Sequence, residues 1–403
     1  MIFFEVGVRR IDLVLNVVVL GFFWLLVGIA WTPSNKFYQQ GLVLLLWVPV
    51  LIGVFALRAQ LLEAWLRQRA FSLLIALFLL WACLSGFWSQ ADDIGRELKR
   101  VFYVGLFLCA MTVLGVSRQQ AIWKTLGVAF VFLALTFPVS FYLYYIVGKH
   151  AFTERLWGIG QIGHPILGSY VMALGVMWGA RFCPKARWAR LLWIVLMSMG
   201  VAFIAMGQSR GALLALVMGL CAMSLLSVER RYAWWGCAAV LGGVGVGFIF
   251  FEPLLMERGM SYRLDILLES LSMISQNPIL GIGIGSDYRV VTDNYPAGFD
   301  HAHNSFTHTG IELGGVGFLL WVGIWLLALF SAWGARRTKE GQLALGTLLV
   351  AVVALQFDTG SQWETPRAEW FVVWLPIGLV MALNARREKD SPAAMSATVA
   401  SRQ

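Results

Sequence analysis

Long apolar blocks alternate with short polar segments along almost the whole of this chain. A helix that crosses a hydrocarbon core needs roughly 20 predominantly apolar residues. Twelve windows near that size can be counted, at 11–30, 41–57, 70–87, 101–116, 121–147, 163–180, 191–206, 210–227, 233–251, 311–334, 342–357 and 369–384. Several are a turn short and require snorkelling ends or local thinning of the bilayer. The pattern therefore predicts an all-α polytopic membrane protein with about 12 transmembrane helices.

One connection breaks the rhythm. Residues 252–310, between the ninth and tenth windows, form a loop far longer than a tight turn, and such loops are usually functional when they carry structure of their own. Leu264, Leu267, Leu268, Leu271 and Ile274 recur there at helical spacing, while Arg263, Asp265, Glu269 and Gln276 take other faces. This predicts an amphipathic helix lying across the membrane surface or capping a cavity. Pro278 and the glycines of 280–285 then end the helix and turn the chain. A dinucleotide fingerprint is the rival reading of those glycines, and the lack of a preceding strand argues against it. No composition break divides the rest, so the chain reads as one membrane domain over 1–389, loop included, with a solvated tail at 390–403.

Composition agrees: 59% of residues are hydrophobic, 13% are charged, and the mean hydropathy is +0.73, all far from soluble-domain values. The distribution of charge sets the orientation. With the amino terminus inside, the inner segments collect 20 of the 31 Lys and Arg but 7 of the 22 Asp and Glu, as cytoplasmic loops do. Both termini are then cytoplasmic, and all five histidines fall on the outer face. The net charge of +9 follows from these loops and calls for no nucleic acid partner. The first window lacks a small-residue cleavage site and reads as an uncleaved anchor. Cys83, Cys109, Cys221 and Cys237 lie in windows and Cys183 in an inner loop, so none is placed for an outer disulfide.

The richest chemistry lies at the end of the long loop, where His301, His303, Asn304, His308 and Glu312 crowd the start of an apolar run. Three readings stand for the histidines. One is a general base, since an ordinary imidazole pKa of about 6.5 suits a hydroxyl nucleophile near neutral pH. Another is hydrogen bonding at a helix start. The third is a zinc site from His301, His303, His308 and Asp300, whose spacing matches no familiar short metal motif; no metal and no cofactor are expected. Arg210, in Gly207-Gln208-Ser209-Arg210-Gly211, opens an apolar helix on the same face. It either snorkels to headgroups or binds an anion together with the helix end. Arg263 repeats this arrangement at the loop helix, with an ion pair to Asp265 or Glu257 as the alternative; Arg155, Arg289 and Arg367 are further guanidinium candidates. Arginine suits bidentate phosphate recognition better than lysine. Glu312 either orients His303 or favours its helix as a first-turn acid.

His303-Asn304 followed by Glu312, Gly314 and Gly317 resembles the signature of the O-antigen ligase and O-antigen polymerase superfamily. Ser209-Arg210-Gly211 opening an apolar helix, Arg263 with the downstream Asn277-Pro278-Ile279-Leu280-Gly281-Ile282-Gly283, and His164-Pro165 also resemble that pattern, in order over roughly the last 240 residues. Leu267 departs from it, standing where relatives often carry tryptophan. The resemblance implies transfer of a glycan from undecaprenyl diphosphate-linked O-antigen to an acceptor such as lipid A-core. It places the reaction at the periplasmic face of the bacterial inner membrane, without nucleotide or metal. It implies His303 as the catalytic histidine and Arg210 and Arg263 as diphosphate ligands. Arg155, Arg289, His164, His301 and Asn304 are expected to line the same site, with Gln208, Ser209 and Glu312 in support. Compact length and the lack of a large soluble carboxyl-terminal domain favour a ligase over a polymerase that extends lipid-linked repeat units. A transporter of lipid-linked glycan also fits twelve spans, but such proteins generally place ionisable groups within the membrane, and here they gather at one surface.

Overall fold

In the computed structural model, which describes residues 2–226, 262–357 and 360–385, the apolar windows are helices. Within hydrocarbon every backbone N–H and C=O has to be satisfied internally, and a helix does so inside its own segment. In chain order they are α1 (Ile2–Trp31), α2 (Asn35–Leu42), α3 (Val48–Ala56), α4 (Arg58–Arg67), α5 (Arg69–Ser85), α6 (Ile94–Ser117), α7 (Gln119–Ala134) and α8 (Thr136–Phe141). There follow α9 (Pro165–Arg181), α10 (Arg187–Met206), α11 (Arg210–Leu225), α12 (Arg263–Gln276), α13 (Ser305–Gly334), α14 (Lys339–Phe357) and α15 (Ala368–Asn384). Wider π-turns at Val43–Trp47 and Tyr142–Val147 continue α2 into α3 and extend α8. Eleven of the twelve windows coincide with these helices. The window at 233–251, the loop start at 252–261 and the tail at 390–403 lie outside the described residues.

Among the described residues seven helices are long and apolar enough to cross a membrane, or eight if α4 and α5 are one bent span. Of the remainder, α9, α11 and α15 have 17, 16 and 17 residues, which at roughly 1.5 Å per residue leaves them somewhat short of a roughly 30 Å core. The segment 58–67, expected as a basic loop, is instead the helix α4, bent by 104° from α5. It buries Leu61 and Ala64 while Leu62 and Leu66 are exposed, so its other side is apolar.

Side-chain bonds divide the connections into two ends, and the division matches the one read from charge. At one end Gln39 Nε2 donates to the Pro366 carbonyl (2.8 Å), Ser89 Oγ to the Ile284 carbonyl (2.6 Å) and Gln208 Nε2 to the Thr153 carbonyl (2.9 Å). Glu97, 3% exposed, accepts two bonds from Arg100 Nη1 at 2.8 Å and one from Arg96 Nε at 3.3 Å, and Arg100 reaches Glu364 at 3.7 Å. At the other end Arg67 donates to the Ala385 carbonyl (3.0 Å), Gln119 to the Ala382 carbonyl (2.9 Å) and Gln342 to the Leu226 carbonyl (3.0 Å). The first end gathers every connection expected outside that is described, including the long loop, and is called the loop end below.

The loop contains the expected helix α12, with a difference in facing. Ile266 and Ser270 are its buried residues, whereas Leu264, Leu268 and Leu271 are 58%, 58% and 51% exposed. Its leucine stripe therefore points away from the protein, as a helix lying on a membrane surface would arrange it. An element the sequence reading missed follows: a two-stranded antiparallel hairpin of β1 (Val290–Thr292) and β2 (Tyr295–Phe299), pairing Val290 with Phe299 and Thr292 with Tyr295 across an irregular register. Val290, Ile266, Ala302 and Ile311 bury one another into a small core beneath the loop, joining hairpin, α12 and the start of α13.

The glycine-rich segment does more than turn the chain. α13 is broken at Gly314, which has φ 64° and ψ −166°. The carbonyls freed by the break are taken by the loop: Ile282 N–H donates to Ile311 (3.0 Å) and Gly283 N–H to Glu312 (2.8 Å), while Trp81 Nε1 donates to Leu313 (2.9 Å). In return Gly315 N–H donates to Pro278 (2.8 Å). A Cβ on Gly281 (φ 70°) would strike the Glu312 carbonyl, and one on Gly314 would strike the Ile279 carbonyl. Only glycine allows the two backbones to approach this closely. Below, Phe78, Trp321, Trp363 and Trp374 interleave with ring centroids 5.1–6.4 Å apart, clamping α5, α13 and α15 together.

Candidate functional site

The candidate groups stand at amino-terminal ends of helices at the loop end. α9 starts after His164, whose Nδ1 accepts the Leu167 N–H at 3.4 Å. α11 starts after Ser209, whose side chain accepts from Ala212 N–H. α13 starts after Asn304, whose Oδ1 accepts from Phe306 (2.8 Å) and Thr307 (3.3 Å). Each is a side-chain cap satisfying a helix donor that has no partner within its own turn. Left-handed backbone precedes the starts of α11, α12 and α13: Gln208 at φ 50°, Tyr262 at 48° and His303 at 50°. That conformation is uncommon outside glycine, though histidine is among the residues that tolerate it, and it costs of order 1 kcal/mol or more.

His303 lies in the midst of the others. Its ring centroid is 4.0 Å from that of His301 and 5.8 Å from that of Phe299. Burial drives its pKa down to about 4, and the neighbouring positive charges of His301, Arg263 and His164 push the same way, against Asp300. The imidazole is thus neutral over the whole physiological range, with a lone pair free of a proton. His301 is lowered by burial, opposed by Asp300, whose Oδ1 is 2.8 Å from His301 Nδ1. His164 is lowered by burial and by Arg155 and His301. These mutual influences place His303, His301, His164, Arg155 and Arg263 in one electrostatic cluster, although they are drawn from three separate stretches of sequence. Arg263 rests its guanidinium over the Phe357 ring, 5.0 Å from the centroid, at the end of α14.

Other expectations fare differently. Asn304 caps α13 and donates from Nδ2 to Gln356 Oε1 (2.9 Å), tying the histidine turn to α14. Arg210 is exposed at the first position of α11. Its turn packs on the start of α9, where a Cβ on Gly207 would meet Ser169 Oγ and the Pro165 carbonyl, and Gln208 secures the Thr153 carbonyl beside Arg155. Arg289 is directed along its own hairpin, donating to the Ala297 carbonyl at 3.2 Å. Arg367 stands at the start of α15.

Neither reading of Glu312 holds. It is not in the first turn of α13, which contains no acid, and it does not face His303. It is 3% exposed, accepts Gly285 N–H at 3.0 Å and lies 3.3 Å from Nε2 of His308, one helical turn before it. His308 directs its Nδ1 to the Tyr288 hydroxyl at 2.6 Å. Of the four groups considered for zinc, Asp300, His301 and His303 do converge, with one donor atom from each inside a 4.8 Å span. Sequence reasoning also missed Gln362. Its Nε2 donates to the Ser305 carbonyl and Oγ at 3.0 Å and to Thr309 Oγ1, pinning the start of α13 from the α14–α15 connection. No local signal marks such a glutamine, because its partners are more than fifty residues away.

Comparison with known proteins bears on the same segments. A family model described as O-antigen ligase matches residues 192–322, the stretch that holds the Gln208–Arg210 turn, Arg263, His301, His303 and His308. An O-antigen ligase of Pseudomonas aeruginosa is 29% identical over 367 residues, covering 90% of each chain.

Proposed function

We propose that this multi-pass membrane protein, which is similar to O-antigen ligases, is the glycosyltransferase joining O-antigen to lipid A-core in lipopolysaccharide assembly. The donor is O-antigen on undecaprenyl diphosphate. In this reading the layout is twelve crossings with both termini cytoplasmic, and the loop end faces the periplasm of the inner membrane. The observation that carries the proposal is the His303 imidazole, held neutral beside the Arg263 cation at that end.

The step is a direct displacement. His303 takes the proton of an acceptor sugar hydroxyl as its oxygen attacks the anomeric carbon of the donor glycan. The bond from that carbon to the diphosphate oxygen breaks, and configuration inverts. The leaving lipid diphosphate is an anion and needs neutralisation more than a proton. Arg263, with Arg210 at the start of α11 and Arg155 in the connection before α9, would stabilise the charge that develops on it. A base whose pKa is near 4 when the site is empty is weak; the bound diphosphate supplies the negative charge that strengthens it. His301 and His164 border the path of the proton, and Ser209, Gln208 and Asn304 hold the turns.

The test is transfer by purified protein from a defined lipid-linked donor to lipid A-core, with a chelator present. Wild type should transfer and His303→Ala should not; near-normal transfer by the variant would remove His303 as the base. A gene deletion distinguishes ligase from polymerase. Loss of all O-chains with polymer retained on the lipid carrier supports the ligase, and core bearing one repeat unit supports the polymerase.

A further inference from the structure

Directly behind the histidine turn runs a buried polar chain that the displacement does not use. The Tyr288 hydroxyl accepts the Ala302 N–H at 3.2 Å and lies 2.6 Å from His308 Nδ1. Nε2 of His308 faces Glu312 Oε2 at 3.3 Å, and Glu312 Oε1 accepts Gly285 N–H. The side chains of His308 and Glu312 are 5% and 4% exposed, so water does not compete for these atoms. The directions are internally consistent. A tyrosine oxygen has one proton, and with Ala302 donating to it that proton points at His308 Nδ1. The hydrogen-bonded part of the chain runs from His308 Nδ1 through Tyr288 to Ala302, while Nε2 of His308 and Oε2 of Glu312 approach each other without a hydrogen bond of good geometry. Burial keeps the phenol protonated.

The chain ends on Ala302, between the two histidines of the site. Ala302 is 3% exposed, and the next residue, His303, has the left-handed backbone. A buried N–H without a partner is costly, and a strained turn persists only where its surroundings over-determine it. Tyr288 supplies a hydrogen bond that fixes the His301–Ala302 peptide, directly ahead of His303. We propose that Tyr288 and His308 are positioning residues, which act through the Ala302 N–H to hold the His303 imidazole in the direction needed to take the acceptor proton. The inference rests on His303 being that acceptor. Glu312 anchors the far end of the chain to the glycine loop, which gives the carboxylate a role distinct from helix starting.

The experiment uses the full-length purified protein with lipid-linked donor and lipid A-core, reading kcat, KM and thermal unfolding for Tyr288→Phe, His308→Asn, His308→Gln and His303→Ala. Tyr288→Phe keeps the ring and removes the bond. The expected result is a fall in kcat of about ten- to a hundredfold, the scale of a small misplacement of a reacting group, with KM for the donor within about twofold. Asparagine puts an acceptor oxygen near the place of Nδ1, whereas glutamine reaches toward Nε2. His308→Asn should therefore retain most of the turnover and His308→Gln should fall as Tyr288→Phe does. Wild-type kcat in Tyr288→Phe, equal turnover in the two His308 variants, or a loss seen only in KM or unfolding temperature would overturn the proposal. Should Tyr288→Phe fail to fold, the His308 pair decides. Transfer by His303→Ala would refute the base assignment, whereas an inactive His303→Ala with a normal Tyr288→Phe refutes the positioning chain alone.

Discussion

The depressed pKa of His303 makes a pH profile the sharpest test of the proposed base. In kcat/KM, which reports the free enzyme, activity on the acid side should follow the neutral fraction of this imidazole. With a pKa of about 4, about 90% of it remains neutral at pH 5; an ordinary histidine near 6.5 would leave about 3%. The expected result is a rate nearly flat from pH 7.5 to 5, about thirty times higher at pH 5 than an unperturbed base allows. The diphosphate diester of the donor has no proton to gain in that range, so the limb belongs to the protein. The profile of kcat, which reports the substrate complex, should break at higher pH, because the bound anion favours the imidazolium. Initial rates over short times are needed. A histidine buried neutral binds its proton more readily unfolded than folded, so its contribution to stability is complete above about pH 6.5 and is lost progressively as pH falls toward 4. A kcat/KM limb at pH 6 or above would refute the reasoning, since it would mean that the imidazole is neither desolvated nor surrounded by positive charge.

Neighbouring charges give signs that the same assay can read. His301→Ala and Arg263→Ala each remove a positive influence and should move the kcat/KM limb upward, while Asp300→Asn removes the opposing one and should move it downward. Arg263→Ala should also raise the donor KM by about tenfold or more if the guanidinium binds diphosphate through charge-assisted hydrogen bonds of about 1.5–3 kcal/mol, whereas Arg289→Ala, whose partner is the Ala297 carbonyl, should leave donor KM unchanged. Gly314→Ala should destabilise the protein by about 1–3 kcal/mol in thermal or denaturant unfolding, because its Cβ would enter the Ile279 carbonyl at a positive φ; Gly334→Ala, with open space around it, is the control. Gln362→Leu leaves Ser305 and Thr309 without their shared donor and should cost about 1–3 kcal/mol by the same measurement.

Hydropathy and charge were sufficient to read the helices and the end at which the reactive groups gather, because both follow from short-range rules about burial in lipid. The joining of His164, Arg155, Arg263 and His303 into one cluster was legible only through the family resemblance and the common face, since contacts between distant segments leave no periodic trace. The hairpin at 290–299 escaped notice because its strands have three and five residues and include Pro296 and Gly298, too little for an alternating signal. Glu312 was misread for a different reason. Its spacing of four from His308 already placed the two on one helical face, but the signature drew the pairing toward His303, which precedes the helix. The break at Gly314 could not be foreseen without knowing that 278–285 inserts beside it, because a glycine in a long apolar run usually marks close packing and nothing more.

The arrangement of helix starts bears on why these residues are where they are. α9, α11, α12 and α13 all begin at the loop end, and the first turns of α9, α11 and α13 contain no acidic residue. The partial positive charge of these helix ends thus gathers at one end of the molecule, where Arg210 opens α11 and Arg263 opens α12. Such a concentration of positive potential is unfavourable to the empty site and favourable to an anion held there. It adds to the lowering of the His303 pKa, whose first cause is burial and to which His301, Arg263 and His164 contribute against Asp300. In the proposed displacement, binding of the donor and strengthening of the base would be a single electrostatic event, so that acceptor hydroxyls would meet an effective base only when there is a glycan to transfer.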